Sequence, residues 1–430
     1  MVLIYTHTTT ARLQYICTFI FKQLLNVNFA ITIDSEEFKN YDGVCINYSN
    51  NPIKKEELKI ENVNLLFEQS ILPQQIQCFT YSNYKAFFKI ENSDIDFDIF
   101  AACFYLLSRY EEYLPHKKDL YGRYNHKESL AFNENFLHLP LINIWVTNFM
   151  ETLKNKFENS KFENSKFKFL PTYDIDIAYK YNHKGVVRNV GGFFKKPSLE
   201  RIKVLMGLQK DPFDSYDWMN ALHTRYNLSA LYFFLLAEKI SKYDKNIALH
   251  KNAMWRLIKL HAKKYSIGIH PSWQSANNLS MVKKEKSYLE AMSQLSISAS
   301  RQHFIKFHLP QGYTQLIEAD ITDDYSMGYG SINGFRASVA SSFNWFNLET
   351  NEETNLCIHP FCFMDANSHY EQKQTAQQSF DEVMQYYKIC KEVGGTLITI
   401  FHNNFLGTSK EFKGWSSMYE QFLAQINDNL

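Results

Sequence analysis

The stretch FLPTYDID, residues 169–176, decides how the C-terminal part of this chain is read. Its apolar run ends in Thr172-Tyr173-Asp174-Ile175-Asp176, the pattern of a buried strand that delivers two acids at its C-terminal end. Side chains at i and i+2 of a strand share a face, so both carboxylates enter one cavity. Two carboxylates that close repel, unless one stays protonated or a cation lies between them. A metal held by one carboxylate, beside a base supplied by the other, resolves the conflict. The plain alternative is a solvated acidic turn or a helix cap. Asp94-Ile95-Asp96 repeats the D-I-D wording, but no strand-end His follows it, and Asp98 beside it reads as a helix cap. That copy is expected to be structural.

Upstream, residues 156–165 read KFENSKFENS, a tandem five-residue duplication. Charged, Ser/Asn-containing repeats are tolerated where little depends on length, which places a linker at 156–168 between a domain at 1–155 and another at 169–430. Within the first, residues 11–25 carry helical periodicity, and 29–33 and 44–48 read as strands. A helix is expected after Asp98 with Pro115 ending it. This part reads as a smaller α/β or α+β domain.

Downstream, strand candidates at 230–236, 266–270, 303–307, 356–359 and 396–402 alternate with helical stretches such as 254–265 and 381–393. Such alternation favours a parallel sheet or barrel wrapped by helices, with chemistry at the C-terminal strand ends. Ile267-Gly268-Ile269-His270-Pro271-Ser272-Trp273 puts a His at such an end, where it is a reasonable metal ligand.

The charges balance, with 46 Lys+Arg against 45 Asp+Glu, which argues against a nucleic-acid partner. The seven scattered cysteines contain no C-x-x-C pair, so neither a disulfide framework nor a thiolate zinc site is expected. The apolar stretch near Ile16–Phe21 is short and lacks a small-residue cleavage site, and no run reaches membrane-spanning length. A cytoplasmic protein without a transmembrane segment is the expectation.

TYDID, SALYFFLL, IGIHPSW, SRQHF and TLITIFHN, in that order, resemble the motif set of polysaccharide deacetylases, carbohydrate esterase family four, over roughly residues 169–405. FDIFAACFYLLSRYEEYLPHKKDLYGRYNHKESL resembles the accessory N-terminal domain of some bacterial relatives. The resemblance implies a distorted (β/α) barrel and a zinc-class metal. It assigns Asp174 as general base, Asp176 and His270 as metal ligands, Arg301 as the residue orienting the base, and His402 as general acid. The implied activity is removal of acetyl groups from an N-acetylated sugar of a polysaccharide or its precursor.

One family position departs. The second metal-binding His, four residues after the first, is Gln274 here, a poor zinc ligand. Gln274 can offer its carbonyl oxygen, or His303 can supply the missing nitrogen from a neighbouring strand; if neither serves, the metal site is weakened or lost. Arg336, in Gly334-Phe335-Arg336-Ala337, resembles the local wording of some relatives' third motif and is a substrate-side candidate, with Tyr325 and Trp273. His359 is a weaker site candidate, and His261 is expected to be packed. The alternative reading is a catalytically weakened or inactive domain that binds glycan or a protein partner. A glycosidase ranks last, because Asp174 and Asp176 are too near in sequence to flank a glycosidic bond.

Overall fold

The computed structural model describes residues 1–157, 162–163 and 165–427; half of the tandem repeat expected as a linker, residues 158–161 and 164, falls outside them. The chain forms two compact units. The first takes Met1–Lys168, Gly334–Pro360 and Lys388–Thr396; the second takes Phe169–Asn333, Phe361–Tyr387 and Leu397–Leu430.

In the first unit β1 (Val2–Tyr5), β2 (Phe29–Thr32), β3 (Val44–Asn47) and β4 (Leu58–Lys59) form a parallel sheet in the order β2-β1-β3-β4. Central β1 reads VLIY and is buried along its whole length, as a covered parallel strand requires. Helix α1 (Ala11–Cys17) starts where the Thr10 hydroxyl accepts the Leu13 N–H, and widens into a π-helical stretch over Thr18–Leu24. Helix α2 (Ile99–Leu107) is capped by Asp98, whose Oδ1 accepts the Ala101 N–H at 3.0 Å. It stops at Leu107, short of Pro115: Arg109 turns left-handed at φ 54°, and a 3-10 turn follows over Tyr110–Tyr113. Asp94 is structural, accepting the Lys59 N–H and pairing with Lys156.

Segment Gly334–Pro360 belongs to the first compact unit, together with Met1–Lys168. Arg336 is the reason most easily named. Its guanidinium is buried and donates to both oxygens of Glu112, at 2.8 and 2.5 Å. Glu112 also accepts from Arg109 at 2.7 Å. Burial pushes the Glu112 carboxyl up, but the two guanidinium groups outweigh it and hold it at about 2. Helix α3 (Leu141–Lys156) adds Asn143, whose Oδ1 accepts the Ala340 N–H and whose amide donates to Ser341. Residues 356–359, expected as a strand, fall mostly in Glu352–Ile358, which is a strand and pairs antiparallel, not parallel, with Phe343–Asn347.

The second unit is mixed α/β around a parallel sheet. Its strands are β5 (Lys168–Ile175), β6 (Leu231–Leu235), β7 (Ser266–His270), β8 (Ala299–Ser300), β9 (Asp323–Asp324), β10 (Phe363–Met364) and β11 (Thr396–His402). They lie in the order β9-β8-β7-β6-β5-β11-β10, and no pairing among the described residues closes this order into a ring. Parallel register sets Asp174 opposite Phe233, Leu235 opposite His270, and Ile269 opposite Ser300. Helices α4 (Val186–Lys195), α5 (Leu199–Leu205), α6 (Tyr216–Arg225), α7 (Asn252–Ala262), α8 (Leu279–Ser293) and α9 (Gln311–Glu318) fall between strands. Gly268 is required on β7: a Cβ there would lie 2.6 Å from the Phe233 ring and 2.8 Å from the Ala299 carbonyl oxygen. The expected strand at 303–307 is instead a 3-10 turn over His303–Ile305, with Phe304 at φ 59°. Among the described residues, no helix is long and apolar enough to cross a membrane.

Removing the Glu112 carboxylate leaves two buried guanidinium groups short of their shared acid. Glu112→Ala is expected to lower the unfolding free energy by about 3–5 kcal/mol in chemical denaturation. A denaturation curve that overlays the wild type would reject the assignment.

Candidate metal centre

The chemistry-bearing side chains meet at the C-terminal ends of the strands. Asp174 is the penultimate residue of β5 and Asp176 lies just beyond it; His270 ends β7 and His402 ends β11. His303 follows β8, held by its own N–H on the Pro271 carbonyl and by Gln302, whose amide donates to the Pro271 and Ser272 carbonyls. Sequence order placed these residues on different strands; the parallel sheet brings them together.

Asp176 is the common partner. Its carboxylate lies 3.1 Å from His270 Nε2, 3.3 Å from His303 Nε2 and 3.4 Å from His402 Nε2. The donor atoms of Asp176, His270 and His303 all lie within 4.8 Å of one another. Asp176 Oδ1 is buried and receives no hydrogen bond in bonding geometry among the described residues, although His270 Nε2 lies 3.1 Å away. A buried carboxylate oxygen left unsatisfied is costly, and a cation among these donors removes that cost. Two imidazole nitrogens and one carboxylate are a fitting donor set for a zinc-class ion in a site with an open position.

Each imidazole is fixed from behind. His303 Nδ1 lies 3.0 Å from Asp244 Oδ1, His402 Nδ1 lies 2.6 Å from Asp365 Oδ1, and His270 Nδ1 bonds the Arg301 carbonyl. Each contact occupies Nδ1 and presents Nε2 to the cluster, the usual outer arrangement of metal-binding histidines. Neither Asp244 nor Asp365 was expected from the sequence. Asp365 does follow β10 directly, so the strand-end rule would have found it had that two-residue strand been legible. Asp244 sits in a loop and gave no local signal.

Gln274 is not at the cluster. Its amide donates to Asp244 Oδ2 and to the Lys239 carbonyl, both at 3.2 Å. It therefore supports the acid that orients His303.

Arg301 is fully buried and ties the other side together. Nη1 donates to Asp174 Oδ1 at 2.9 Å, Nε donates to the Tyr325 carbonyl at 3.0 Å, and the guanidinium lies 4.4 Å from the Phe233 ring centroid. The same residue's carbonyl orients His270.

The substrate-side candidates are placed differently from expectation. Arg336 is a buried partner of Glu112 in the first unit and does not belong to this cluster. Trp273 contributes its N–H to Asp244 Oδ1, while its ring stacks on Tyr243 at 4.0 Å and receives the Lys306 ammonium at 3.7 Å. Tyr325 contributes its carbonyl to Arg301 and packs its ring against Phe233. His359 meets Ser342 in the first unit. His261 is packed among Tyr216, Tyr232 and Phe234, and burial lowers its pKa to about 4.

The cluster is strongly coupled electrostatically. Burial pushes the Asp176 carboxyl up, but His303 and His270 hold it well below the usual carboxylate range. Burial pulls the His303 imidazolium down, yet Asp176 and Asp244 raise it from 6.5 to about 9. Asp365 and Asp176 raise His402 against burial in the same way.

A His whose folded pKa lies above its unfolded value adds stability that is fully present below the unfolded value and lost as pH rises through the folded one. Metal-stripped protein is therefore expected to lose thermal stability as pH rises from 6.5 through about 9. His303→Gln is expected to flatten that fall, and parallel wild-type and variant profiles would refute the coupling. Asp244→Asn is expected to weaken divalent-metal affinity about 10- to 100-fold by calorimetric titration. Unchanged affinity would remove Asp244 from the outer arrangement.

Residues 2–158 match a family described as a family of unknown function, DUF7033. No curated protein matches the chain. Similar solved structures include a Mycobacterium smegmatis protein described as a polysaccharide deacetylase, 11% identical over 62% of this chain and 86% of that one, with a TM-score of 0.41. A Pseudomonas aeruginosa PAO1 protein so described is 10% identical over 61% of this chain and 86% of that one, with a TM-score of 0.39. A polysaccharide deacetylase from Bacillus cereus is 8% identical over 61% of this chain and 88% of that one, with a TM-score of 0.31.

Proposed function

We propose that the second unit is a metal-dependent amide hydrolase that removes acetyl groups from an N-acetylated sugar of a polysaccharide or its precursor. The observation that carries this reading is the convergence of the Asp176, His270 and His303 donor atoms within 4.8 Å, with Asp174 and His402 beside them. Asp176, His270 and His303 would hold a divalent ion, most naturally zinc. When bound, such an ion polarises the amide carbonyl and lowers the pKa of water at the site.

The remaining residues divide the proton work. Asp174 has Oδ1 engaged by Arg301, which leaves Oδ2 to accept a proton from the attacking water. Oδ2 lies 3.7 Å from His270 Nε2 and so faces the cluster. His402 is held through Nδ1 by Asp365, whose buried carboxylate favours the protonated imidazole that serves the departing nitrogen. Water oxygen joins the acetyl carbon, the C–N bond breaks, and acetate and a free amine result. Trp273 and Tyr325 act through their backbone groups, on Asp244 and Arg301.

The reading of a binding-only relative rested on Gln274. The geometry weakens that ground, because His303 offers the nitrogen that Gln274 lacks.

Asp174→Asn is expected to retain bound metal while acetate release from N-acetylated oligosaccharides falls about 10²- to 10⁴-fold. Asp176→Ala is expected to lose both metal and activity. Acetate release undiminished in Asp174→Asn would remove Asp174 as base. A purified wild type that neither binds nor responds to any divalent ion would overturn the enzyme reading.

A further inference from the structure

The connection leaving β5 forms a helical hairpin, α4 followed by α5, whose amphipathicity is inverted. On α4, Val186, Val187, Val190, Phe193 and Phe194 fall at i, i+1, i+4, i+7 and i+8, a single face. A surface helix normally turns such a face to the core. Here the only buried residue of α4 is Asn189, whose amide donates to the Tyr181 carbonyl at 3.0 Å. Val187 is 87% exposed, Phe194 81% and Leu199, at the start of α5, 77%. Ile202, Leu205, Met206 and Leu208 continue the exposed apolar surface.

The charge around this surface is one-sided. Residues 183–206 contain six Lys and Arg and a single acid, Glu200, whereas Lys210 beyond them is paired with Asp214 and Asp217. Glu200 is already paired with Lys180 at 3.0 Å. Lys195, Lys196 and Lys203 are exposed beside the apolar face. The hairpin helices also border an apolar cleft of about 740 Å³, lined by Val190, Phe193, Ile202 and Leu205 among others.

We propose that this hairpin is an interfacial anchor that lays the second unit on a membrane surface carrying anionic lipid. Projecting Val, Phe and Leu side chains flanked by lysines match the acyl boundary and the headgroup charge of such a surface, and the cleft has room for part of an acyl chain. A water-facing helix has no reason to turn its Asn inward and its Phe outward. The hairpin begins ten residues after Asp176, on the connection leaving the end of β5 that carries the metal cluster. Anchoring would thus hold that strand end near the headgroups. The inference is independent of the hydrolase reading, since it is tested by binding alone.

The test is cosedimentation of the full chain with phosphatidylcholine vesicles, with and without phosphatidylglycerol. Wild type is expected to bind the phosphatidylglycerol vesicles, and the bound fraction is expected to fall with rising salt. The exposed double substitution Val187→Ser/Phe194→Ser is expected to weaken partitioning about tenfold or more, with unchanged thermal stability and metal content. Failure of wild type to bind phosphatidylglycerol vesicles at low salt would overturn the proposal, as would binding undiminished by the double substitution. A wild-type dimer in sedimentation velocity that the double substitution converts to monomer, without vesicle binding, would overturn it in favour of a second copy.

Discussion

A single carboxylate facing three imidazole nitrogens sets the terms for the second unit. Asp176 lies within 3.4 Å of Nε2 of His270, His303 and His402, and one of its oxygens is buried and receives no hydrogen bond in bonding geometry among the described residues. Such an arrangement is stable only if protons or a cation answer the carboxylate. The surrounding residues are built to keep the imidazoles aimed at it. Asp244, Asp365 and the Arg301 carbonyl each take an Nδ1, so every ring presents the same nitrogen inward.

Arg301 links that arrangement to the sheet. It reaches Asp174 with its side chain and His270 with its backbone, so the base candidate and a ligand candidate share one support. The support is itself wedged against the Phe233 ring, which can lie there only because Gly268 leaves the neighbouring position on β7 without a Cβ. Packing, register and electrostatics are thus coupled at one point. A change in any of them moves both acids and histidines.

The two units solve the problem of burying charge differently. In the first, Glu112 is saturated by Arg109 and Arg336, leaving that carboxylate no role but to hold chain segments together. In the second, the buried charges remain incompletely paired at the strand ends. The hairpin of α4 and α5 shows the reverse imbalance, with apolar groups left outside and an Asn turned in. Both departures from an ordinary folded surface fall on the connection or the end of β5.

The sequence by itself determined the strand that delivers Asp174 and, just past its end, Asp176, the strand-end histidines His270 and His402, and the α/β alternation. Those features are local: period-two apolar runs and residues at their ends are visible without a partner. His303 was legible as a candidate but not its setting, since a 3-10 turn held by the Pro271 and Ser272 carbonyls has no period of its own. The Arg336 pairing was not legible because its motif is local while its partner, Glu112, lies 224 residues away. Asp244 and Asp365 went unseen because an acid behind a histidine is defined only by where the histidine's Nδ1 points. Tertiary structure alone decided the pairing of side chains, because pairing depends on distances between strands, which the order of residues along one strand does not contain.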